Sequence, residues 1–334
     1  MKPQAARSAP GQQRVSAGRW LIRLLGLALM LGALSLPLLR TPDRPVETLV
    51  ARWAPPPSQF MDLQGQLVHY RDEGPRNDPE PLVLLHGTSA SLHTWEGWAK
   101  ALRGQRRVIS LDLPAYGLTG PWAGSFVGQP YTAQAYAGFV LQVLDRLDVT
   151  QFVAAGNSMG GEVAWRLAQQ APTRVTRLVL VDAGGYQFKS SSLPLAWRLA
   201  RVPVLSELVE QMMARPLIAQ GLGTVFADPR LITEAMIDRH VELTLRAGNR
   251  QAFIERAKSW TPGEGLDHIR GLSLPTLILW GGQDQLIPVS LAQRFAADIP
   301  GSQVVIFDKL GHVPQDEDPA HSVAAVKRFL GLTP

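Results

Sequence analysis

Gly156-Asn157-Ser158-Met159-Gly160-Gly161 is the stretch on which the fold turns. It follows a short apolar run, Gln151 to Ala155, and opens a helix-like run, Glu162 to Gln170. A strand, a tight turn holding a serine between glycines, then a helix is the context of a nucleophile elbow. The turn forces Ser158 into a strained backbone conformation that projects its hydroxyl. Side chains two residues to either side would collide, so Gly156 and Gly160 fill those places. The helix behind the turn points its N-terminal amides at developing negative charge. A serine between spaced glycines also arises by chance, so its flanks and the rest of the chain must carry the reading.

The chain has 334 residues, enough for one large domain or two modest ones. Hydrophobic content of 46% with 18% charge is that of a globular protein. There are no cysteines, which excludes disulfides, thiolate metal sites and cysteine nucleophiles. The formal charge of +5 is unevenly placed. Residues 1–52 hold eight basic and two acidic residues, a net of +6, which leaves −1 for the remainder. The folded body therefore offers no charge-based argument for nucleic acid.

The N-terminus reads as a membrane segment. Leu24 to Leu39 carries no charge, and Trp20 to Ile22 extends it to a span of about twenty residues, with Arg23 able to snorkel. Basic residues at 2, 7, 14 and 19 precede it, which favours a cytoplasmic N-terminus and a body on the other side. A cleaved signal, giving a secreted or periplasmic protein, is the competing reading. No small-residue cleavage site follows the apolar run, so an uncleaved anchor within residues 1–40 is favoured. Residues 41–57 hold Pro42, Pro45, Pro55, Pro56 and Pro57 and are expected to form an extended spacer. The body is expected at 58–334.

Strand-like and helix-like runs then alternate. Strands are expected at 67–71, 82–86, 107–113, 152–155, 175–182, 276–280 and 303–307. Helices are expected at 95–102, 132–147, up to 171, 291–299 and 319–330, with Thr132 a plausible cap. Such alternation implies an α/β fold with a mostly parallel sheet and helices on both faces. About ninety residues separate Asp182 from Thr276, far beyond an ordinary connection, so an inserted helical cap is expected at 186–272.

A serine hydroxyl needs a histidine base oriented by a carboxylate. His312 lies in Gly311-His312-Val313-Pro314, just past the last strand-like run, where the C-terminal edge of a parallel sheet would hold such a base. An ordinary surface histidine is the plain alternative. Asp284, in Gly281-Gly282-Gln283-Asp284, also leaves the end of a strand. Its plain alternative is an Asx-type turn residue. Asp182 is the rival acid. Asp316, Glu317 and Asp318 more naturally precede and cap the final helix.

The order Ser158, Asp284, His312 is that of α/β-hydrolases. Four motifs carry the likeness: His86-Gly87-Thr88; Asp112-Leu113-Pro114-Ala115-Tyr116-Gly117; Gly156-Asn157-Ser158-Met159-Gly160-Gly161; and Gly281-Gly282-Gln283-Asp284 with Gly311-His312. On these the chain resembles the α/β-hydrolase superfamily from about residue 60 to residue 331. The resemblance implies an oxyanion hole from the backbone N–H groups of Thr88 and Met159, and a structural His86. Ala115 replaces a glycine of the family's turn, so the turn either differs or stores strain.

Serine at the elbow disfavours alkyl-enzyme chemistry and favours acyl transfer to water. The reading is a capped, membrane-anchored serine hydrolase of carboxylic esters, with a small to medium apolar ester as substrate. Trp197, Met212, Met213 and Phe226 suggest an apolar pocket, although each could be plain cap core. No cofactor or metal is implied. Carbon–carbon hydrolases of ring-fission products share the elbow string, and cofactor-free haloperoxidases share the triad. A non-catalytic ligand-binding module on the same fold is the non-enzymatic alternative.

Overall fold

The structure, a computed structural model, describes residues 40–333 except 191, 213, 214 and 262, together with 18, 20–27 and 30. Residues 41–334 form one compact unit, and residues 1–40 a separate one. Among the described residues, eight strands make a single sheet: β1 (Ser58–Leu63), β2 (Gln66–Glu73), β3 (Leu82–Leu85), β4 (Val108–Leu111), β5 (Phe152–Asn157), β6 (Val175–Val181), β7 (Thr276–Gly281) and β8 (Gln303–Phe307). Their spatial order is β1-β2-β4-β3-β5-β6-β7-β8. β1 with β2 and β2 with β4 are antiparallel, and every later pairing is parallel.

Two apolar faces explain the near-continuous hydrophobic runs. In β3, Val83 and Leu85 enter one core, whereas Leu82 and Leu84 enter the other. β6 and β7 alternate likewise, with Leu178, Leu180, Ile278 and Trp280 on one side and Val179, Val181, Leu277 and Leu279 on the other. Helices Ala133–Arg146, Met159–Gln170 and Ser290–Asp298 contribute Phe139, Trp165 and Phe295 to the first core. Helices Glu96–Leu102 and Pro319–Leu330 contribute Trp98 and Val326 to the second. Thr132 caps its helix, accepting from the Ala135 N–H at 3.3 Å.

Among the described residues, six α-helices lie between β6 and β7: Leu195–Ala200, Pro203–Met212, Arg215–Val225, Glu234–Thr244, Asn249–Ser259 and Leu266–Arg270. Four of them, Leu195–Ala200, Arg215–Val225, Glu234–Thr244 and Asn249–Ser259, border a cavity that Ser158 also lines.

The interval 41–57 is not an extended spacer. Its prolines bracket a helix, Glu47–Trp53, whose Leu49 is buried against Leu118 and Leu243. Arg52 pairs with Glu242 at 2.7 Å and with Asp238 at 2.8 Å, and the Trp53 indole donates to Glu242. Asp43 accepts from Arg250 at 2.6 Å. Counting prolines concealed the proline-free stretch between them, which has one apolar face to bury. β1, also unexpected, extends the sheet by pairing with β2.

Residues 18, 20–27 and 30 are helical. Among the described residues, no helix is long and apolar enough to cross a membrane. The rest of the anchor expected at about 20–39 lies outside the described residues.

Candidate active site

Ser158 stands between β5 and helix Met159–Gln170 with φ +55° and ψ −117°. An L-residue pays steric strain there, and surrounding structure must enforce it. The glycines show how. A Cβ on Gly156 would meet the Gly160 carbonyl oxygen at 2.0 Å, and one on Gly160 would meet the Leu85 carbonyl oxygen at 2.0 Å. No side chain fits at either place.

His312 follows β8 and is 3% exposed. Its Nδ1 lies 2.7 Å from Asp284 Oδ2. The other Asp284 oxygen accepts from the N–H groups of Leu286 at 2.7 Å and Ile287 at 2.9 Å. Asp284 is thus an Asx-type turn residue and the partner of His312 at once: the turn fixes one oxygen and aims the other. His312 Nε2 has no hydrogen-bond partner, so the bond to Ser158 is not formed in this geometry. Unliganded sites are often looser at this contact.

Asn157, which sequence reasoning passed over, joins the elbow to the histidine loop. Its amide donates to the carbonyls of His312 at 2.9 Å and Val181 at 3.2 Å. Glu317 also departs from expectation. It does not serve the final helix, which Asp318 caps through the His321 N–H. Its carboxylate accepts from Gly311 N–H at 2.7 Å and from Ala227 and Asp228 N–H at 3.0 Å each. One buried acid thereby ties the histidine loop to the inserted helices. The His312 N–H adds a bond to the Val225 carbonyl at 2.7 Å.

Asp182 is fully buried and accepts from the Gly281 N–H at 2.9 Å, but no hydrogen bond joins it to His312. Burial, reinforced by the nearby Asp284 charge, pushes its carboxyl well above the ordinary range. Asp182, Asp284 and His312 each offer a ligand atom within 4.8 Å of the others. The histidine Nδ1 and Asp284 are already engaged with one another, so this donor set suits a hydrogen-bonded cluster better than a cation.

Thr88 and Met159 border the same cavity as Ser158 and His312. Among the described residues neither backbone N–H has an acceptor. The loop below them is held by Asp112, which accepts from Leu92 and Leu118 N–H at 2.8 Å and contacts His69 Nδ1 at 2.7 Å. Burial opposes the Asp112 charge, but His69 keeps its carboxyl far below the ordinary range. His86 is structural in this frame: its Nε2 accepts from the Leu113 N–H at 3.0 Å. Ala115 adopts φ +81°, so the turn keeps its shape and stores strain.

The cavity measures about 200 Å³. Its walls are mainly apolar, with Trp197, Leu222, Phe226, Phe253 and Trp260 from the inserted segment. The side chains of Met212 and Met213 lie outside the described residues. Polar groups interrupt the wall. Glu162 and Arg256 lie 3.7 Å apart, and burial pushes the Glu162 carboxyl up. Burial pushes Asp316 up to about 6 and His240 down to about 4. Sequence reading singled out none of these four for the cavity.

A mostly parallel sheet, an elbow serine and a histidine–aspartate pair on the same cavity are the parts of a hydrolase architecture. The chain belongs to the α/β-hydrolase fold family, whose model matches residues 80–319. An uncharacterized protein of Mycobacterium tuberculosis is 29% identical over 303 residues, covering 84% of this chain and 83% of its own. The 2-hydroxymuconate semialdehyde hydrolase of Pseudomonas sp. strain CF600 is 28% identical over 261 residues, covering 75% of this chain and 86% of that enzyme. Among solved structures, a membrane phospholipase A described as a bacterial virulence factor superposes with a TM-score of 0.66 at 25% identity, covering 94% of this chain and 98% of its own.

Proposed function

We propose that the protein is a serine hydrolase of carboxylic esters whose substrates are small and mainly apolar. The observation that carries this reading is the Asp284–His312 pair at 2.7 Å on the cavity that also holds Ser158. In the proposed cycle, Ser158 Oγ attacks the ester carbonyl as His312 Nε2 takes its proton, a transfer that needs the two to close the gap seen here. The carbonyl oxygen becomes an oxyanion facing the N–H groups of Thr88 and Met159. Collapse breaks the C–O bond, and the imidazolium returns its proton to the departing alcohol. Water, deprotonated by His312, then attacks the acyl-enzyme and releases the acid. Asp284 holds the ring and stabilises its charged form.

Carbon–carbon hydrolysis is the second reading, favoured by the likeness to the 2-hydroxymuconate semialdehyde hydrolase and by a cation, Arg256, in the cavity wall. The apolar wall and the compensating Glu162 support the ester instead. The two readings are compared by kcat/KM for short- to medium-chain neutral esters against a vinylogous diketone acid. Faster turnover of the esters is expected, and the opposite ranking would overturn the ester reading. We also propose that residues of about 20–39 hold the protein at a membrane with the body on the non-cytoplasmic side. The support is the uncharged run 24–39 and the basic residues before it.

A further inference from the structure

Six arginines are buried among the described residues: 71, 106, 107, 166, 250 and 256. Five donate direct side-chain hydrogen bonds. Arg71 reaches Ser58 at 3.0 Å, Arg106 reaches Asp78 at 2.8 Å, and Arg107 grips Asp72 at 2.9 Å. Arg166 donates to the Glu264 carbonyl at 2.8 Å, and Arg250 to Asp43 at 2.6 Å. Arg256 is the exception: the residue is 3% exposed, its Nε is buried without a partner, and its nearest acid is 3.7 Å away. Leaving a buried donor unmade is costly, which is why buried charged groups are normally satisfied.

That nearest acid is Glu162, which lies one helical turn beyond Ser158, and both members of the pair border the cavity. Glu162 likewise makes no direct side-chain hydrogen bond among the described residues, so the two charges compensate each other while their donors and lone pairs stay open. The Tyr136 hydroxyl is also buried without a partner, and the Arg256 charge acts on it against the burial that pushes that phenol well above its ordinary value. A carboxylate entering here would meet Glu162 as well as Arg256. An uncharged group that both accepts and donates meets no such conflict: it takes a proton contact from Arg256 and gives one to Glu162.

We propose that Glu162 and Arg256 form a polar subsite beside the nucleophile that takes a neutral hydroxyl carried on an otherwise apolar ester. The proposal rests on the serine-hydrolase reading for which molecule brings the hydroxyl, but not for the subsite itself. The test uses four matched probes: propyl hexanoate, 1-hexanoylglycerol, propyl 6-hydroxyhexanoate and monopropyl adipate. Their binding to the full-length Ser158→Ala protein is measured by titration calorimetry, and their hydrolysis by the wild type is measured as kcat/KM. One of the two hydroxyl-bearing esters should bind about tenfold more tightly than propyl hexanoate and be hydrolysed with a matching advantage. Arg256→Met and Glu162→Gln should each bring that ratio close to one. Equal binding of all four probes would show that the pair only holds water, and the tightest binding by monopropyl adipate would make it an anion site; either result overturns the proposal. So does a preference that survives both substitutions. Should Arg256→Met fail to fold, the wild-type ranking and Glu162→Gln decide. If the wild type hydrolyses none of the esters while the Ser158→Ala protein still ranks a hydroxyl ester first, the hydrolase reading falls and the subsite stands.

Discussion

At the scale of single residues, the structure separates two buried acids that sequence could only rank. Asp284 contacts His312, whereas Asp182 accepts from the Gly281 backbone and burial pushes its carboxyl well above the ordinary range. Asp284→Asn should lower kcat by about 10³ to 10⁴ with little change in KM, because the imidazole loses its orienting charge. Asp182→Asn keeps an oxygen that can accept from Gly281 and leaves the Asp284–His312 contact in place, and should cost less than about tenfold. Steady-state kinetics on both variants checks this, and a crippled Asp182→Asn beside a mild Asp284→Asn would reverse the assignment. The turn at Ser158 and the meeting of Asp284 with His312 were legible because their chain order and their places after strands are written in local sequence. Arg256 was not legible. It sits on a helix beside Glu255 and Lys258, where a charged residue looks like part of a solvated face, and only tertiary packing turns it toward the cavity.

At the scale of elements, alternation of apolar runs made most of the sheet readable, and the final helix Pro319–Leu330 falls where its periodicity places it. What escaped was the docking of one element on another. Glu317 belongs by sequence to the approach to the last helix, yet its carboxylate holds amides from Gly311, Ala227 and Asp228. Their separation along the chain hides the contact from any local pattern. Glu317→Ala strips three amides of their acceptor and should destabilise the protein by about 3 kcal/mol or more. Denaturant unfolding measures this. A loss below about 1 kcal/mol would mean that water or the remaining contacts hold the histidine loop to the inserted helices.

At the scale of the whole molecule, the boundary of the folded unit is where sequence reading erred most. Proline content suggested a spacer up to residue 57, but the compact unit begins at Thr41, and helix Glu47–Trp53 covers Leu118 and Leu243. Deleting residues 1–40 should therefore leave the thermal midpoint unchanged. Deleting residues 1–57 uncovers that cluster and removes the ion pairs of Arg52, and should lower the midpoint by several degrees, as expected for a loss of about 2 kcal/mol in a domain of this size. Scanning calorimetry on the two truncated proteins distinguishes them, and equal midpoints would return 41–57 to the role of a spacer. The central claim concerns Ser158, and intact-mass and peptide mapping after treatment with a fluorophosphonate probe tests it most directly. A single adduct on the Ser158 peptide is predicted, absent from Ser158→Ala and much slower to form in His312→Ala. No adduct on the wild type, or an adduct and ester hydrolysis that both persist in Ser158→Ala, would contradict the account.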